Sequence, residues 1–140
     1  IKKKEKMKEH DEQRALFQWA NECVSYNIHP ELALMFAIPN AQVALKMISS
    51  PRIKFSFIQH MTSEGRKKGV PDIFLAVPRR TYHGLFVEMK AEKGKPSPEQ
   101  KEWIQKLNEQ GYLAQVCIGC QHAQELIEWY LNDKENRDMP

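Results

Sequence analysis

Two apolar runs decide the fold predicted for this chain: Asp72-Ile73-Phe74-Leu75-Ala76-Val77 and Leu85-Phe86-Val87-Glu88-Met89-Lys90. Each contains a stretch of strand length, at 73–77 and 85–89, and residues 78–84 between them supply turn residues. This pattern predicts a β-hairpin with a long loop. Because both faces of the two strands are apolar, the hairpin is expected in the centre of a sheet, covered on both sides.

Three charged residues stand at the end of the hairpin away from its loop: Asp72, Glu88 and Lys90. A hairpin centred on the loop places Asp72 opposite Lys90, with Glu88 on the diagonal and all three on one face. Burying such charges is costly unless they are paired, hydrated or bound to a metal. Two interpretations remain open from the pattern alone: a salt-bridge cluster, or a Mg²⁺ or Mn²⁺ site whose lysine assists an attacking water.

The rest of the chain predicts one mixed α/β domain over residues 1–140. Ser97, Pro98 and Gln100 have the spacing of a helix start with a capping box, and Gly111 ends that helix. The other predicted elements are a basic lead-in at 1–9, a helix at 11–27, a short strand at 32–38, an ambiguous, partly helical segment at 41–63 broken by Pro51, a strand at 113–118, a helix at 122–131 and a polar tail at 133–140.

Composition excludes several classes of protein. With 140 residues, 41% of them hydrophobic and 28% charged, the chain is typical of one globular domain. No apolar run approaches the ~18 residues that a membrane helix needs, and no secretory leader opens the sequence. Three cysteines do not build a disulfide scaffold, and the CxxC at 117–120 matches no closed zinc site, so we expect a reducing, cytoplasmic location. No phosphate-binding glycine loop is present, which argues against a nucleotide cofactor.

The positive charge is concentrated around the hairpin. The net charge is only +3, but residues 64–101 hold nine Lys or Arg against five Asp or Glu. Two basic groups flank the end that carries Asp72, and backbone phosphates of DNA are their expected partners. These candidate DNA-binding residues are Arg66, Lys67, Lys68, Lys93, Lys95 and Lys101. Arg79 and Arg80 lie at the opposite, loop end, where a role in solubility is slightly favoured over a second DNA contact.

An ordered set of short motifs resembles the VRR-NUC subgroup of the PD-(D/E)xK nucleases. The set consists of Gly69-Val70-Pro71-Asp72-Ile73, Val87-Glu88-Met89-Lys90, and Ser97-Pro98-Glu99-Gln100 followed by Trp103. Further matches at 12–13, 38–40 and 111–112 extend the resemblance over about residues 12–131, although Ala41 stands where the family commonly has glycine. The resemblance implies a restriction-endonuclease-like core, in which helices flank a mixed central β-sheet.

The resemblance also implies the ligands of a divalent metal, Mg²⁺ or Mn²⁺. Asp72 and Glu88 would bind the ion through their carboxylates, and Met89 would bind it through its carbonyl. Lys90 would position the hydrolytic water. Together these roles would make the chain a metal-dependent deoxyribonuclease.

Two more residues receive a place beside the site from the same resemblance. Gln100 matches the family's helix glutamine, and it is also the capping-box partner of Ser97; the two roles are compatible. Glu12 matches a glutamate of the first helix that approaches the metal. A solvated helix start explains an acid at this position equally well.

Standalone members of this subgroup resemble phage and bacterial homodimers that cut branched DNA, including four-way (Holliday) junctions. We therefore predict a metal-dependent, structure-specific DNA endonuclease that acts as a homodimer. Two alternatives stay open: a flap, nick or single-strand nuclease of DNA repair, and a non-catalytic nucleic-acid-binding module. The candidate dimer surface is the apolar excess of 41–61, for which packing in the core is the alternative explanation. It comprises Val43, Met47, Ile48, Ile53, Phe55, Phe57 and Ile58.

Overall fold

A four-stranded mixed sheet with helices on either side forms the centre of the molecule. The computed structural model describes residues 8–39 and 41–140, without the side chains of Gln42 and Val43. The strands are β1 (Met35–Ala37), β2 (Ile73–Leu75), β3 (Leu85–Lys90) and β4 (Leu113–Ile118). The helices are α1 (Glu9–Ser25), α2 (Ala41–Met47), α3 (Pro51–Ser63), α4 (Pro98–Glu109) and α5 (Gly119–Leu131), with a 3₁₀-helix at Pro30–Leu34. The strand order is β1-β2-β3-β4, antiparallel except for the parallel pair β3–β4.

The β2–β3 hairpin lies in the middle of the sheet, but its predicted register is wrong by two residues. Ile73 pairs with Val87, so continuation of the ladder sets Asp72 opposite Glu88 rather than Lys90. Phe74 faces Phe86 in this register, and their rings stack with centroids 4.3 Å apart. Stacking of this pair favours the observed register over its neighbours. Because two is an even number, every side chain keeps its predicted face.

The two faces of the sheet differ in how fully they are covered. One face of β3 carries Leu85, Val87 and Met89, which are almost completely buried in a core shared with α1 and α5. On the other face, α4 reaches Glu88 while the ring of Phe36 on the edge strand β1 remains 50% exposed. The expectation of a hairpin covered on both sides therefore holds fully for only one face.

The elements around the hairpin follow the sequence signals with one notable exception. The capping box of α4 is present, because Ser97 Oγ accepts from the Gln100 N–H while Gln100 Oε1 accepts from the Ser97 N–H. The predicted strand at 32–38 is wrong over its first half: Pro30 starts a 3₁₀-helix, and only Met35–Ala37 is extended. Proline at the first helical position explains the difference, since its fixed φ suits a helical turn. Among the described residues, no helix is both long and apolar enough to cross a membrane.

Arg79 and Arg80 hold the far end of the fold together. The Arg80 guanidinium lies 4.0 Å from the ring centroid of Trp129 and donates to the carbonyls of Trp129, Asn132 and Glu135 at 2.6–2.8 Å. Arg79 pairs with Glu31 at 2.9 Å. A stacked guanidinium that also satisfies the last carbonyls of a helix stabilises that helix end. The structure thus gives both arginines packing partners, whereas the sequence favoured a role in solubility.

Candidate metal centre and nucleic-acid cleft

Three carboxylates from separate parts of the chain meet at the end of the hairpin. Asp72 precedes β2, Glu88 lies in β3, and Glu9 starts α1; one oxygen from each lies within 4.8 Å of the others. Asp72 Oδ2 accepts a hydrogen bond from the Met89 N–H at 2.9 Å, which fixes it against the neighbouring strand. The arrangement provides a set of oxygen ligands of the kind that Mg²⁺ and Mn²⁺ prefer.

Glu88 is the most buried of the three, with only 1% of its surface exposed. Its Oε1 accepts from Gln100 Nε2 at 2.6 Å and lies 3.2 Å from Lys90 Nζ. Its Oε2 is buried and has no hydrogen-bond partner among the described residues. A buried carboxylate oxygen left without a donor is costly. A divalent cation held between Glu88 and Asp72 is a partner of the right chemistry, so these residues fit a metal.

The two central carboxylates are difficult to ionise together. Burial, followed by the nearby charge of Asp72, raises the pKa of Glu88 from 4.5 to about 8. Burial also raises the pKa of Asp72, although its hydrogen bond from Met89 and the charge of Lys90 oppose the shift. A cation would favour the charged forms and reverse both shifts. The protein's own groups therefore do not supply enough positive charge to keep both carboxylates ionised.

Lys90 lies within this cluster, with 11% of its side chain exposed. Its Nζ is 3.2 Å from Glu88 Oε1 and 3.9 Å from Glu9 Oε1. The salt-bridge interpretation is thus correct in part, because a lysine–glutamate pair exists. That pair occupies one oxygen of Glu88, and the other receives no donor from the part of the chain that the structure describes, so the pair does not account for the cluster by itself.

The orientation of Gln100 is set by the capping box. The Ser97 N–H occupies the amide oxygen of Gln100 at 2.8 Å, so the amide nitrogen points to Glu88. The helix start and the site therefore share one side chain, as the sequence suggested. Gln100 lies beside Glu88 because α4 begins next to the end of β3.

The structure puts Glu9, rather than Glu12, next to Asp72 and Glu88. Glu12 Oε2 accepts from the Cys120 N–H at 2.7 Å, at the start of α5, which has no side-chain cap of its own. Gly119 beside it has φ +82°, and a Cβ there would lie 3.6 Å from the Glu12 carboxylate. Glu9 was missed because Glu9 and Glu12 are one turn apart on one helix face, and the docking of α1 decides which carboxylate reaches the site.

A cleft of about 990 Å³ opens beside the carboxylates, with Lys90 and Gln100 on its wall. Of the six basic residues predicted to bind DNA, Lys93 and Lys101 are exposed but do not line it. The other four predicted residues do line the cleft, and two further lysines, Lys8 and Lys46, line it as well. The basic residues of the wall, apart from Lys90, are Lys8, Lys46, Arg66, Lys67, Lys68 and Lys95.

The comparison with known families agrees with this geometry. A model of the VRR-NUC domain matches residues 40–121, more than half of the chain. The chain belongs to the VRR-NUC family. A solved structure named a VRR_NUC domain protein aligns with 91% of this chain and 90% of its own, with a TM-score of 0.66 and 22% identity. No curated protein matches. The predicted PD-(D/E)xK-like fold is thus confirmed, and the VRR-NUC domain is a nuclease domain, which implies a DNA substrate and fits a divalent metal.

The raised pKa of Glu88 predicts that the metal-free protein loses stability between pH 5 and pH 8. The folded state keeps the proton up to about pH 8, whereas the unfolded chain releases it near 4.5, so the free energy of unfolding falls as the pH rises through this interval. We expect the melting temperature in chelator to fall by roughly 5 °C or more. Glu88→Gln should flatten this dependence, since the amide does not titrate.

Thermal melts of the wild type and Glu88→Gln at pH 5, 6, 7 and 8 provide the measurement. Addition of Mn²⁺ at pH 8 should raise the melting temperature of the wild type more than that of Glu88→Gln. Parallel pH profiles of the two proteins in chelator would contradict the assigned burial of the Glu88 charge.

The double role of Gln100 predicts different results from two variants that both break the capping box. Ser97→Ala removes the Oγ acceptor but keeps the Ser97 N–H that orients Gln100, so we expect a loss of about 1 kcal/mol in stability with nearly unchanged DNA cleavage. Gln100→Ala also removes the donor to Glu88, so cleavage should fall roughly tenfold or more. Equal cleavage rates for both variants, at matched stability, would show that Gln100 only caps α4.

Proposed function

We propose that this chain is a Mg²⁺- or Mn²⁺-dependent DNA endonuclease that hydrolyses phosphodiester bonds. The observation that carries the proposal is the buried carboxylate of Glu88, whose Oε2 has no hydrogen-bond donor among the described residues, in a cluster with Asp72 and Glu9. A protein that only binds DNA has no need of such a costly carboxylate cluster. Membership of a nuclease family and the basic cleft support the same conclusion.

In this proposal, Asp72, Glu88 and the Met89 carbonyl hold the metal, and Glu9 takes the place first given to Glu12. When bound, a divalent cation would lower the pKa of a coordinated water and offset negative charge on the phosphate. Hydrogen bonds position the carboxylates in advance: Met89 holds Asp72, and Gln100 holds Glu88. Glu12 is not a ligand in this proposal; its carboxylate accepts from the Cys120 N–H and so caps the start of α5.

Lys90 is the proposed residue that positions the attacking water. Its ammonium is largely buried and is fixed by Glu88 and Glu9, so it can donate to a water or to a phosphate oxygen without first being ordered. The cations of the cleft would bind backbone phosphates on either side of the cut. Contacts of this type depend on salt and carry no sequence information, which fits an enzyme that recognises the shape of DNA.

We further propose that two copies of the chain act together on branched DNA, such as four-way junctions. A twofold dimer would present two sites to a substrate of matching symmetry. Within 41–61, several apolar side chains are exposed, which supports this region as the dimer surface; Val43 lies outside the described side chains. The exposed members are Met47, Ile53, Phe55 and Ile58, whereas Ile48 and Phe57 are half-buried. The proposed place of action is the cytoplasm of a bacterium, including one infected by phage.

Cleavage of a panel of labelled DNA substrates tests the activity. We expect the wild type with Mg²⁺ or Mn²⁺ to cut a four-way junction faster than a linear duplex of the same sequence, with no cleavage in chelator. Lys90→Ala should reduce the rate by at least about a hundredfold, because it removes a group that acts in the transition state. Lys134→Ala, at an exposed lysine beyond the C-terminal end of α5, is the control and should stay within about twofold of the wild type.

The products of the panel also separate the alternatives. Preferential cutting of flaps, nicks or single strands would replace the junction assignment by a repair nuclease of another specificity. Binding of DNA with no cleavage of any substrate by the wild type would leave only the non-catalytic module.

The proposed homodimer predicts a molecular mass of twice 16.4 kDa in solution at micromolar concentration. Phe55→Glu should convert the dimer to a monomer, because it places a charge on an apolar side chain that is 64% exposed in one copy. Light scattering after size exclusion measures both masses, and Tyr26→Glu, at another exposed aromatic, is the control. A monomeric wild type would remove the paired-cut mechanism while leaving the single-site chemistry intact.

A further inference from the structure

The basic loop, defined as residues 65–69, carries three consecutive cations between two glycines. Arg66, Lys67 and Lys68 all line the cleft. Gly65 and Gly69 have φ values of +96° and +92°, in the left-handed region that favours glycine. The loop directly precedes Val70-Pro71-Asp72, so its position is linked to that of the carboxylates by three residues of chain.

Helix α4 holds the last part of this loop through three contacts. Trp103 Nε1 donates to the Lys68 carbonyl at 3.0 Å, and Lys68 Nζ lies 3.3 Å from Glu99 Oε1. The backbones of Gly69 and Glu99 approach so closely that a Cβ at Gly69 would lie 2.7 Å from the Glu99 carbonyl carbon. The Lys68–Glu99 ion pair is exposed and contributes little. The indole hydrogen bond also lies at the surface, and it adds to the close backbone approach of Gly69 and Glu99 in fixing the loop.

The same helix holds the carboxylate at the centre of the site. Gln100 donates to Glu88 at 2.6 Å, and Trp103 lies one turn further along α4. Helix α4 therefore contacts both the backbone that carries the loop cations and the carboxylate of Glu88.

We propose that Trp103 is a positioning residue for DNA binding: its indole N–H fixes the basic loop on α4, so that Arg66, Lys67 and Lys68 meet backbone phosphates in register with Asp72 and Glu88. This inference rests on the proposed function, since it assumes that the cleft binds DNA. Trp103 itself does not line the cleft. Its effect is confined to the affinity for DNA.

The test is Trp103→Phe, which keeps an aromatic ring in place and removes the N–H. DNA binding is measured in chelator by fluorescence anisotropy over a series of salt concentrations, and cleavage is measured with Mn²⁺ at saturating DNA. We expect the Kd to rise about fivefold, the value of one hydrogen bond, and the salt dependence to become less steep by about one phosphate contact. The cleavage rate at saturation and the Mn²⁺-induced rise in melting temperature should stay unchanged.

Trp129→Phe is a matched control, because Trp129 Nε1 also donates to a backbone carbonyl, that of Arg137 at 2.8 Å, at the end of the molecule that Arg80 holds together. It should lower stability and leave the Kd and its salt dependence at wild-type values. Gly69→Ala is a second variant that reaches the loop without altering Trp103, and the added Cβ should push the loop off Glu99 and weaken binding in the same way. If Trp103→Phe does not fold, the DNA affinity of Gly69→Ala tests the inference instead.

The inference is overturned if folded Trp103→Phe binds DNA like the wild type, or if its cleavage rate at saturation falls while the Kd stays constant. The latter result would place the effect of α4 on the carboxylates instead of the loop. If Trp103→Phe does not fold, either result with Gly69→Ala overturns it. A wild type that does not bind DNA would overturn the proposed function as well, so failure of this inference alone is recognised by normal binding of the wild type.

Discussion

Burial of the Glu88 carboxylate at the end of the central hairpin is the constraint on which the rest of the site depends. Two donors, Gln100 and Lys90, face one of its oxygens, and no described residue donates to the other. The negative charges of two neighbouring acids, Asp72 and Glu9, repel the Glu88 carboxylate and raise its pKa further. Lys90 pairs with only one of its oxygens, and a bound cation would offset the remaining cost of burying the carboxylate. The same cost is what makes the cluster suited to hold a divalent cation.

The surrounding elements are arranged so that this carboxylate stays in one place. Stacking of Phe74 on Phe86 sets the hairpin register that brings Asp72 opposite Glu88. The capping box of α4 fixes the amide of Gln100, and the first turn of α1 delivers Glu9. The capping box is local to α4, whereas the aromatic stack joins β2 to β3 and the docking of α1 brings in Glu9. The three converge because the hairpin is central in the sheet. Contacts far from the site also matter: Arg80 binds the end of α5, and α5 contributes to the core against which the hairpin packs.

Much of the fold followed from patterns in the sequence. Ser97, Pro98 and Gln100 predicted the start of α4, and the apolar stretch at 113–118 predicted β4 with its observed bounds. Local patterns succeed here because capping and strand formation depend on neighbouring residues. The register of the hairpin was out by two, since an aromatic pair across the strands decided it. The choice between Glu9 and Glu12 was also beyond local reasoning, because both lie on one face of α1 and only its docking separates them.

The sequence by itself determined the residue types of the candidate site: two carboxylates and a lysine at the end of a predicted hairpin, a glutamine in a helix cap, and cations on both flanks. These are properties of residue type and spacing, which the chain carries in any conformation. Only the tertiary structure decided which oxygen of Glu88 lacks a donor, which glutamate of α1 joins the cluster and which cations line the cleft. Those properties arise from distances between residues far apart in sequence, and such distances are set by packing of the helices on the sheet.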